Sequence, residues 1–227
     1  PIITAIRCAL ISEGILAQTY EAPLGSYVQE ILNPNSGLYD FQPEILIIVP
    51  DIFSIQYMPS GPVSDIVVGD AIDSEIVKWQ GLWDILVTRL GKPILQHLYE
   101  VPTDEYLGVA ERRARWCGFN FIHEMNNRLL EHAPSSLRWL DVERLASRIG
   151  RDNWNDSRLY NHGKFGFSPK FLPEYTTLLS AALRGVLGVN KKALIIDLDN
   201  TLWGGVIGDD GLSGIRLGPD TVEGEAY

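Results

Sequence analysis

The feature that most constrains the fold is an unbroken apolar run in the first half of the chain, Ile45-Leu46-Ile47-Ile48-Val49. Side chains alternate between two faces along a strand, so a run that is apolar at every position predicts a strand covered on both faces. Such burial is typical of a parallel sheet with helices on each side. The run leads into Asp51, which places a carboxylate at the carboxyl end of the predicted strand.

Predicted helices and strands alternate along the chain. Apolar residues at helical spacing predict helices at 2–15, 27–32, 74–90, 109–132 and 171–187, and short apolar runs predict strands at 15–20, 44–51, 93–99, 137–142 and 193–197. This alternation predicts an α/β fold, a three-layer α/β/α sandwich with a mostly parallel sheet.

A polar, turn-prone segment at 188–192 separates the last predicted helix from the last predicted strand. We therefore predict one domain at residues 1–188 and a second at residues 189–227. The second piece is too short to bury a core alone, so we expect it to be the beginning of a larger domain. The chain opens with Pro1 and closes without a stop signal, and it is predicted to be an internal fragment.

Charge and composition argue against several classes of partner. The chain has 19 Lys and Arg against 29 Asp and Glu, which argues against nucleic acid, because clustered basic residues bind phosphate backbones. No apolar stretch approaches the roughly 20 residues that span a bilayer, and no signal peptide is present, so no membrane partner is expected. Cys8 and Cys117 lack metal-ligand spacing, and we interpret them as reduced thiols of a cytoplasmic protein.

Two carboxylates follow the last predicted strand, in the segment ALIIDLDNT at 193–201. Because side chains at positions i and i+2 of a strand share a face, Asp197 and Asp199 are predicted to project together. Two close carboxylates repel each other, and a hard divalent cation such as Mg²⁺ relieves that repulsion while leaving room for a substrate phosphate. The alternative is that the two carboxylates only end the strand and cap the next turn.

Residues 197–211, DLDNTLWGGVIGDDG, resemble the first signature of the HAD phosphotransferase superfamily, Asp-x-Asp-x-Thr. They are similar in particular to its FkbH-like form, in which Leu-Trp-Gly-Gly follows the Thr and Gly-Asp-Asp-Gly comes soon after. Segments 36–44 and 156–168 resemble parts of the N-terminal domain of FkbH-like proteins, which is itself similar to SGNH hydrolases. The resemblance implies an SGNH-hydrolase-like domain followed by the start of a HAD-type Rossmannoid domain.

The same resemblance implies a role for each residue of the motif. Asp197 would be the nucleophile that forms an aspartyl-phosphate, Asp199 would act as general acid and then base, and Thr201 would steady the nucleophile. Mg²⁺ would be bound by Asp197 and by the backbone carbonyl of Asp199. The tight turns of a flap hairpin would be formed by Gly204, Gly205, Gly208 and Gly211.

FkbH-like proteins are associated with loading a glyceryl unit from 1,3-bisphosphoglycerate onto an acyl carrier protein in polyketide assembly. The resemblance therefore implies a phosphorylated small-molecule substrate and an acyl carrier protein as partner. The other motifs of the superfamily would lie beyond Tyr227, so the chain by itself is expected to be inactive.

Three alternatives stay open at this point. A plain phosphatase or phosphotransferase would use the same Asp197 chemistry on another substrate. An SGNH-type esterase or acyltransferase would carry a degenerate HAD part, although its late Asp-x-x-His motif is not intact, since His162 lies six positions after Asp156. A non-catalytic module would dock a carrier protein through a basic cluster of Arg112, Arg113 and Arg115.

The remaining polar candidates are interpreted as structural, with one exception. His162, in a polar loop that contains glycine, is the histidine with the best claim to a function. Packed or solvated positions are predicted for His97, His123 and His132. A network that stiffens the loop is predicted for Asp156, Arg158 and Lys164.

Overall fold

Three short parallel strands form a sheet within residues 2–102 and 107–227, the parts of the chain that the computed structural model describes. The strands are β1 (Leu46–Ile48), β2 (Ile94–His97) and β3 (Leu137–Leu140), in the order β1-β2-β3. Leu46 pairs with Ile94, and Ile94 pairs with Leu137. Because all strands run in one direction, their carboxyl ends meet at one edge of the sheet.

The helices are α1 (Ile2–Ser12), α2 (Tyr27–Leu32), α3 (Gly37–Phe41), α4 (Asp65–Arg89), α5 (Gly118–His132), α6 (Val142–Ile149), α7 (Arg151–Trp154), α8 (Ser157–Gly163), α9 (Leu172–Leu187), α10 (Ile207–Gly214) and α11 (Val222–Glu225). Short 3-10 helical turns lie at Ile52–Ser54, Gly108–Arg113 and Pro169–Phe171. Among these helices, none is both long and apolar enough to cross a bilayer.

Helices cover the sheet on both faces, and each face has its own core. Ile94 of β2 packs with residues of α4 and α5, whereas the next residue, Leu95, packs with residues of α1, α6 and α9. Neighbouring residues of a strand point to opposite faces, so the unbroken apolar pattern supplies both cores at once. The predicted three-layer α/β/α arrangement with a parallel sheet is confirmed.

Two predicted helices differ most from the observed bounds. The helix predicted at 74–90 begins at Asp65, because the hydroxyl of Ser64 accepts a hydrogen bond from Val67 N at 3.4 Å and caps an earlier start. The helix predicted at 109–132 is interrupted between a 3-10 turn and α5. The Asn120 side chain donates to the carbonyls of Glu111 and Ala114, at 2.7 and 2.9 Å, and so satisfies backbone groups at the break.

The contacts divide the chain into two compact units, Pro1–Leu187 and Gly188–Tyr227. In the second unit the helices are α10 and α11, and isolated bridges join Asp199 to Trp203 and Gly204 to Arg216.

Two predicted strands are wrong. Residues 15–20 are irregular, and so are residues 193–197, where Leu194 and Ile195 are 82% and 96% exposed. A strand needs a neighbouring strand to bond its N–H and C=O groups, and the described residues offer no such neighbour at either place.

Candidate active-site loop

The predicted catalytic residues lie in a tight loop that begins at Asp197. Thr201 N and Leu202 N both donate to the carbonyl of Leu198, at 3.2 and 2.9 Å, which closes a turn immediately after the first carboxylate. Asn200 has φ 53°, in the left-handed region, which Asn adopts more readily than most residues. The motif is therefore folded by its own backbone.

Asp199 is held by two donors on a single oxygen. Its Oδ1 accepts from the indole Nε1 of Trp203 at 3.0 Å and from the backbone N of Ile207 at 3.1 Å. Among the described residues no group bonds its Oδ2. Asp199 is half-buried, so one carboxylate oxygen is fixed by the loop while the other stays available.

Asp197 and Thr201 are exposed. The hydrogen bond to the Asp197 side chain comes from its neighbour Leu198, whose backbone N lies 2.9 Å from Oδ1. Residues two apart have Cα atoms at most about 7 Å apart, so Asp197 and Asp199 lie close along the loop. Their shared face was predicted from a strand at 193–197 that does not form, so it stays a prediction.

Asn200 and Gly205 close the loop from opposite ends. Asn200 N donates to Gly205 O at 3.2 Å, and Gly205 N donates to the Asn200 Oδ1 at 2.9 Å. Gly205 has φ 102°, a conformation that favours glycine. The sequence prediction missed this clamp, although an Asn directly after paired carboxylates and a Gly five residues later could have indicated it.

The predicted flap hairpin is only partly present. Gly204 and Arg216 exchange backbone hydrogen bonds of 2.9 and 2.8 Å, as in an antiparallel pair. The segment between them is α10, kinked at Gly211, and it contains Gly208. The side chain of Asp210 accepts from Val206 N at 2.8 Å and holds the start of that helix. A short, kinked helix therefore replaces most of the predicted hairpin.

The loop offers oxygen ligands that suit a hard cation. Asp197 offers carboxylate oxygens and Asp199 a backbone carbonyl, and no group of three or more His, Cys, Asp or Glu that could hold a metal occurs in residues 2–102 and 107–227. Mg²⁺ often takes one or two protein carboxylates and completes its shell with water and phosphate. The donor set fits Mg²⁺ and lacks the nitrogen and sulfur ligands typical of a zinc site.

A second group of polar residues follows the strands of the first unit. Glu100 lies beyond β2, and its Oε2 accepts from Trp154 Nε1 at 3.1 Å. Burial, together with the nearby carboxylates of Glu143 and Asp51, raises the pKa of Glu100 to about 7. The Tyr160 hydroxyl donates to Asp51 Oδ2 at 3.2 Å. The sequence pointed to Asp51 but not to Glu100.

His97 has a packed position and His123 and His132 have solvated positions, as predicted. His97 is buried in β2 beside the Tyr175 hydroxyl, 3.1 Å from its Nε2, and burial lowers its pKa to about 4. His162 lies on α8 and not in a loop. Asp156 caps α8 through Arg158 N at 3.0 Å and also pairs with the Arg158 guanidinium, whereas the Lys164 Nζ lies over the Tyr160 ring, 4.6 Å from its centroid.

The basic cluster does not lie on one helix. Arg112 and Arg113 end a 3-10 turn, whereas Arg115 lies in the break before α5. The guanidinium of Arg115 bonds both carboxylate oxygens of Glu124, so its charge is largely neutralised. Arg112 lies over the ring of Phe119, with 5.3 Å to its centroid.

The fold is shared with a solved structure. It is similar to the crystal structure of the N-terminal part of the protein BF1531 from Bacteroides fragilis, which contains a phosphatase domain complexed with Mg. The TM-score is 0.81 and the sequence identity 24%, over 99% of this chain and 59% of that chain. This chain thus spans less than two thirds of that structure, and the likeness shows a common fold.

No protein-family model matches the sequence, and no curated protein matches it.

We predict that a rise in pH changes the free energy of unfolding in opposite directions through Glu100 and through His97. Glu100 keeps its proton in the folded chain, so its stabilisation is lost as pH rises from about 4.5 to about 7. His97 stays neutral when folded, so its stabilisation is lost as pH falls from about 6.5 to about 4. Between about pH 4.5 and 6.5 the two effects offset each other.

Glu100→Gln should remove one of these effects. Over that interval its free energy of unfolding should rise with pH more steeply than that of wild type, by up to about 1.4 kcal/mol per pH unit. Urea denaturation followed by tryptophan fluorescence measures this slope. Glu174→Gln, at an exposed glutamate, is the matched control and should follow wild type. Equal slopes for Glu100→Gln and wild type would contradict the raised pKa of the Glu100 carboxyl.

Gly205→Ala should loosen the loop. An added Cβ would lie 2.9 Å from the Asp210 Oδ2, and the positive φ costs a non-glycine residue about 1–2 kcal/mol. Amides at 198–207 should therefore exchange with deuterium faster than in wild type, as measured by peptide mass spectrometry. Gly208→Ala is the control, because its Cβ would enter open space, and it should leave exchange in 198–207 unchanged. Unchanged exchange in both variants would show that the clamp does not depend on Gly205.

Proposed function

We propose that this chain carries the nucleophile loop of a Mg²⁺-dependent phosphatase or phosphotransferase of the HAD superfamily. The observation that carries the proposal is the state of the two carboxylates. Asp199 has one oxygen fixed by two N–H donors, and Asp197 is exposed in the same loop. A fixed acid beside an exposed nucleophile is the pairing that phosphoryl transfer to a carboxylate requires. The phosphatase domain of the BF1531 structure supports it.

The two carboxylates divide the reaction between them. An oxygen of Asp197 attacks phosphorus, the bond from phosphorus to the leaving oxygen breaks, and Asp199 gives that oxygen its proton. An aspartyl-phosphate results. Asp199 then takes a proton from water, the water oxygen attacks phosphorus, and the bond to Asp197 breaks, which releases phosphate and restores both side chains. Thr201 is proposed to hydrogen-bond near the nucleophile from its exposed position in the same turn.

The proposed Mg²⁺ ligands are Asp197 and Asp199. The Asp199 Oδ1 already accepts two hydrogen bonds, so its backbone carbonyl is the proposed ligand and its Oδ2 is left for proton transfer. When bound, the cation supplies positive charge that stabilises the phosphoryl oxygens.

We further propose the FkbH-like form of this chemistry, the loading of a glyceryl unit from 1,3-bisphosphoglycerate onto an acyl carrier protein. In this form Asp197 takes the 3-phosphate. The thiol of the carrier protein then attacks the acyl carbon, the bond to the 1-phosphate breaks, and a glyceryl thioester and free phosphate result. The segments LWGG at 202–205 and GDDG at 208–211 support it. In this assignment residues 1–188 form an SGNH-like domain and residues 189–227 begin the HAD-type domain, in a cytoplasmic protein.

Docking of a carrier protein would use local positive charge. The chain has a net charge of −10, and carrier proteins are usually acidic, so their association needs a basic patch. Arg115 is committed to Glu124, whereas Arg112 and Arg113 are exposed. These two are the proposed docking residues.

The test uses the full natural protein with Mg²⁺, 1,3-bisphosphoglycerate and candidate carrier proteins, and measures phosphate release and intact carrier mass. Asp197→Asn should abolish both signals, because an amide cannot form the aspartyl-phosphate. Asp220→Asn, which changes an exposed aspartate outside segments 202–205 and 208–211 in the same way, is the matched control and should keep both.

Different failures contradict different claims. Phosphate release without a glyceryl-sized gain on any carrier would leave a phosphatase and overturn the transfer proposal. Full activity in Asp197→Asn would overturn the nucleophile. Absence of both signals from the wild-type protein would overturn glyceryl loading.

A further inference from the structure

We propose that Trp203 is a positioning residue whose indole N–H sets the orientation of the Asp199 carboxylate. The proposal rests on the function proposed above. It depends on the hydrogen bond of 3.0 Å between Trp203 Nε1 and Asp199 Oδ1.

The carboxylate needs such a contact because its final torsion is loosely defined. Rotation between the Cβ and the carboxyl group of Asp is broad and roughly two-fold, so an isolated carboxylate does not keep one oxygen towards the substrate. Trp203 Nε1 and Ile207 N both bond Oδ1, from different positions in the loop. Two donors on one oxygen select one orientation and leave Oδ2 as the oxygen that exchanges the proton.

The two donors are themselves held in place. Trp203 is half-buried and precedes Gly204, which is buried and bonded to Arg216 through both its N–H and its C=O. A Cβ on Gly204 would lie 3.0 Å from the Tyr227 ring, so the backbone beside Trp203 is closely packed. Ile207 follows Val206, whose N–H is bonded by Asp210. The loop therefore presents the indole in a defined direction.

The orientation of Asp199 should matter most when it gives a proton to the leaving oxygen as the aspartyl-phosphate forms. Protonation of the leaving oxygen matters when that oxygen is strongly basic, as in ethoxide, and matters little for a good leaving group such as acetate. A misoriented Asp199 should therefore slow transfer from ethyl phosphate far more than transfer from acetyl phosphate. Local disorder of the loop would displace Asp197 as well and would slow both reactions alike.

The kinetic experiment compares Trp203→Phe with wild type in the full natural protein, on ethyl phosphate and on acetyl phosphate. Phe keeps an aromatic ring and removes the N–H donor. The quantity compared is kcat/KM, because it reports the steps up to the aspartyl-phosphate and not its later hydrolysis, which also uses Asp199. We expect kcat/KM to fall about tenfold or more on ethyl phosphate and less than about twofold on acetyl phosphate. Trp116→Phe, at a half-buried tryptophan of the first unit, is the matched control and should not change either rate.

A second measurement tests the contact without any reaction, on the chain as it stands. The indole N–H signal of Trp203 in a ¹H–¹⁵N spectrum is assigned by its loss in Trp203→Phe. It should move upfield in Asp199→Ala, which removes the acceptor, and should stay in place in Asp197→Ala. Its solvent exchange should also be faster in Asp199→Ala.

The outcomes separate the two proposals. Equal losses of kcat/KM on ethyl phosphate and acetyl phosphate, or no loss on either, overturn the positioning role of Trp203 and leave the proposed phosphoryl transfer intact. An indole signal that ignores Asp199→Ala overturns the contact itself. If the wild-type protein acts on neither ethyl phosphate nor acetyl phosphate and releases no phosphate from 1,3-bisphosphoglycerate, the proposed function is overturned, and with it the role of Trp203.

Discussion

The burial of β2 on both faces is the constraint on which the first unit depends. All four of its residues are buried, with Ile94 and Leu95 in different cores. A strand in this position must pair on each side and be covered above and below, which produces two parallel neighbours and two helix layers. It also brings three carboxyl ends to one edge, where Asp51 and Glu100 follow their strands. Ligands of open α/β sheets bind at such edges.

The second unit is organised by a polar contact and not by a core. Its apolar segment before Asp197 is exposed, and the loop after it is held by hydrogen bonds among Asn200, Gly205, Trp203 and Asp199. A loop of this kind keeps its shape through hydrogen bonds and backbone geometry, so its carboxylates can face solvent. As a result, Asp197 is exposed, and one carboxylate oxygen of Asp199 is held by hydrogen bonds while no described residue bonds the other.

The sequence predicted the fold where local pattern and burial agree. The apolar runs at 44–51, 93–99 and 137–142 contain β1, β2 and β3, because each has a parallel neighbour within the chain. The run at 193–197 has the same composition and forms no strand, since pairing is a property of two segments and cannot be seen in one. The break before α5 was missed because it depends on where the Asn120 side chain points.

The candidate site shows the same limit. The spacing of Asp197, Asp199 and Thr201 predicted a site for phosphoryl chemistry, and the structure places all three residues in one turn region. Which oxygen of Asp199 is fixed, and by which donor, depends on the path of the chain through Gly204 and Gly205. An aromatic residue four positions after a carboxylate carries no local signal for that contact. Its role emerges from the folded loop.

The measurement that tests the central claim most directly is chemical trapping of the phosphorylated residue. The full natural protein is mixed with Mg²⁺ and 1,3-bisphosphoglycerate, quenched in acid and treated with borohydride, which reduces an aspartyl-phosphate to homoserine. Peptide mass spectrometry then locates the change. The account predicts homoserine at position 197 and none at position 199. Homoserine elsewhere, or continued phosphate release with Asp197 unmodified, would contradict it.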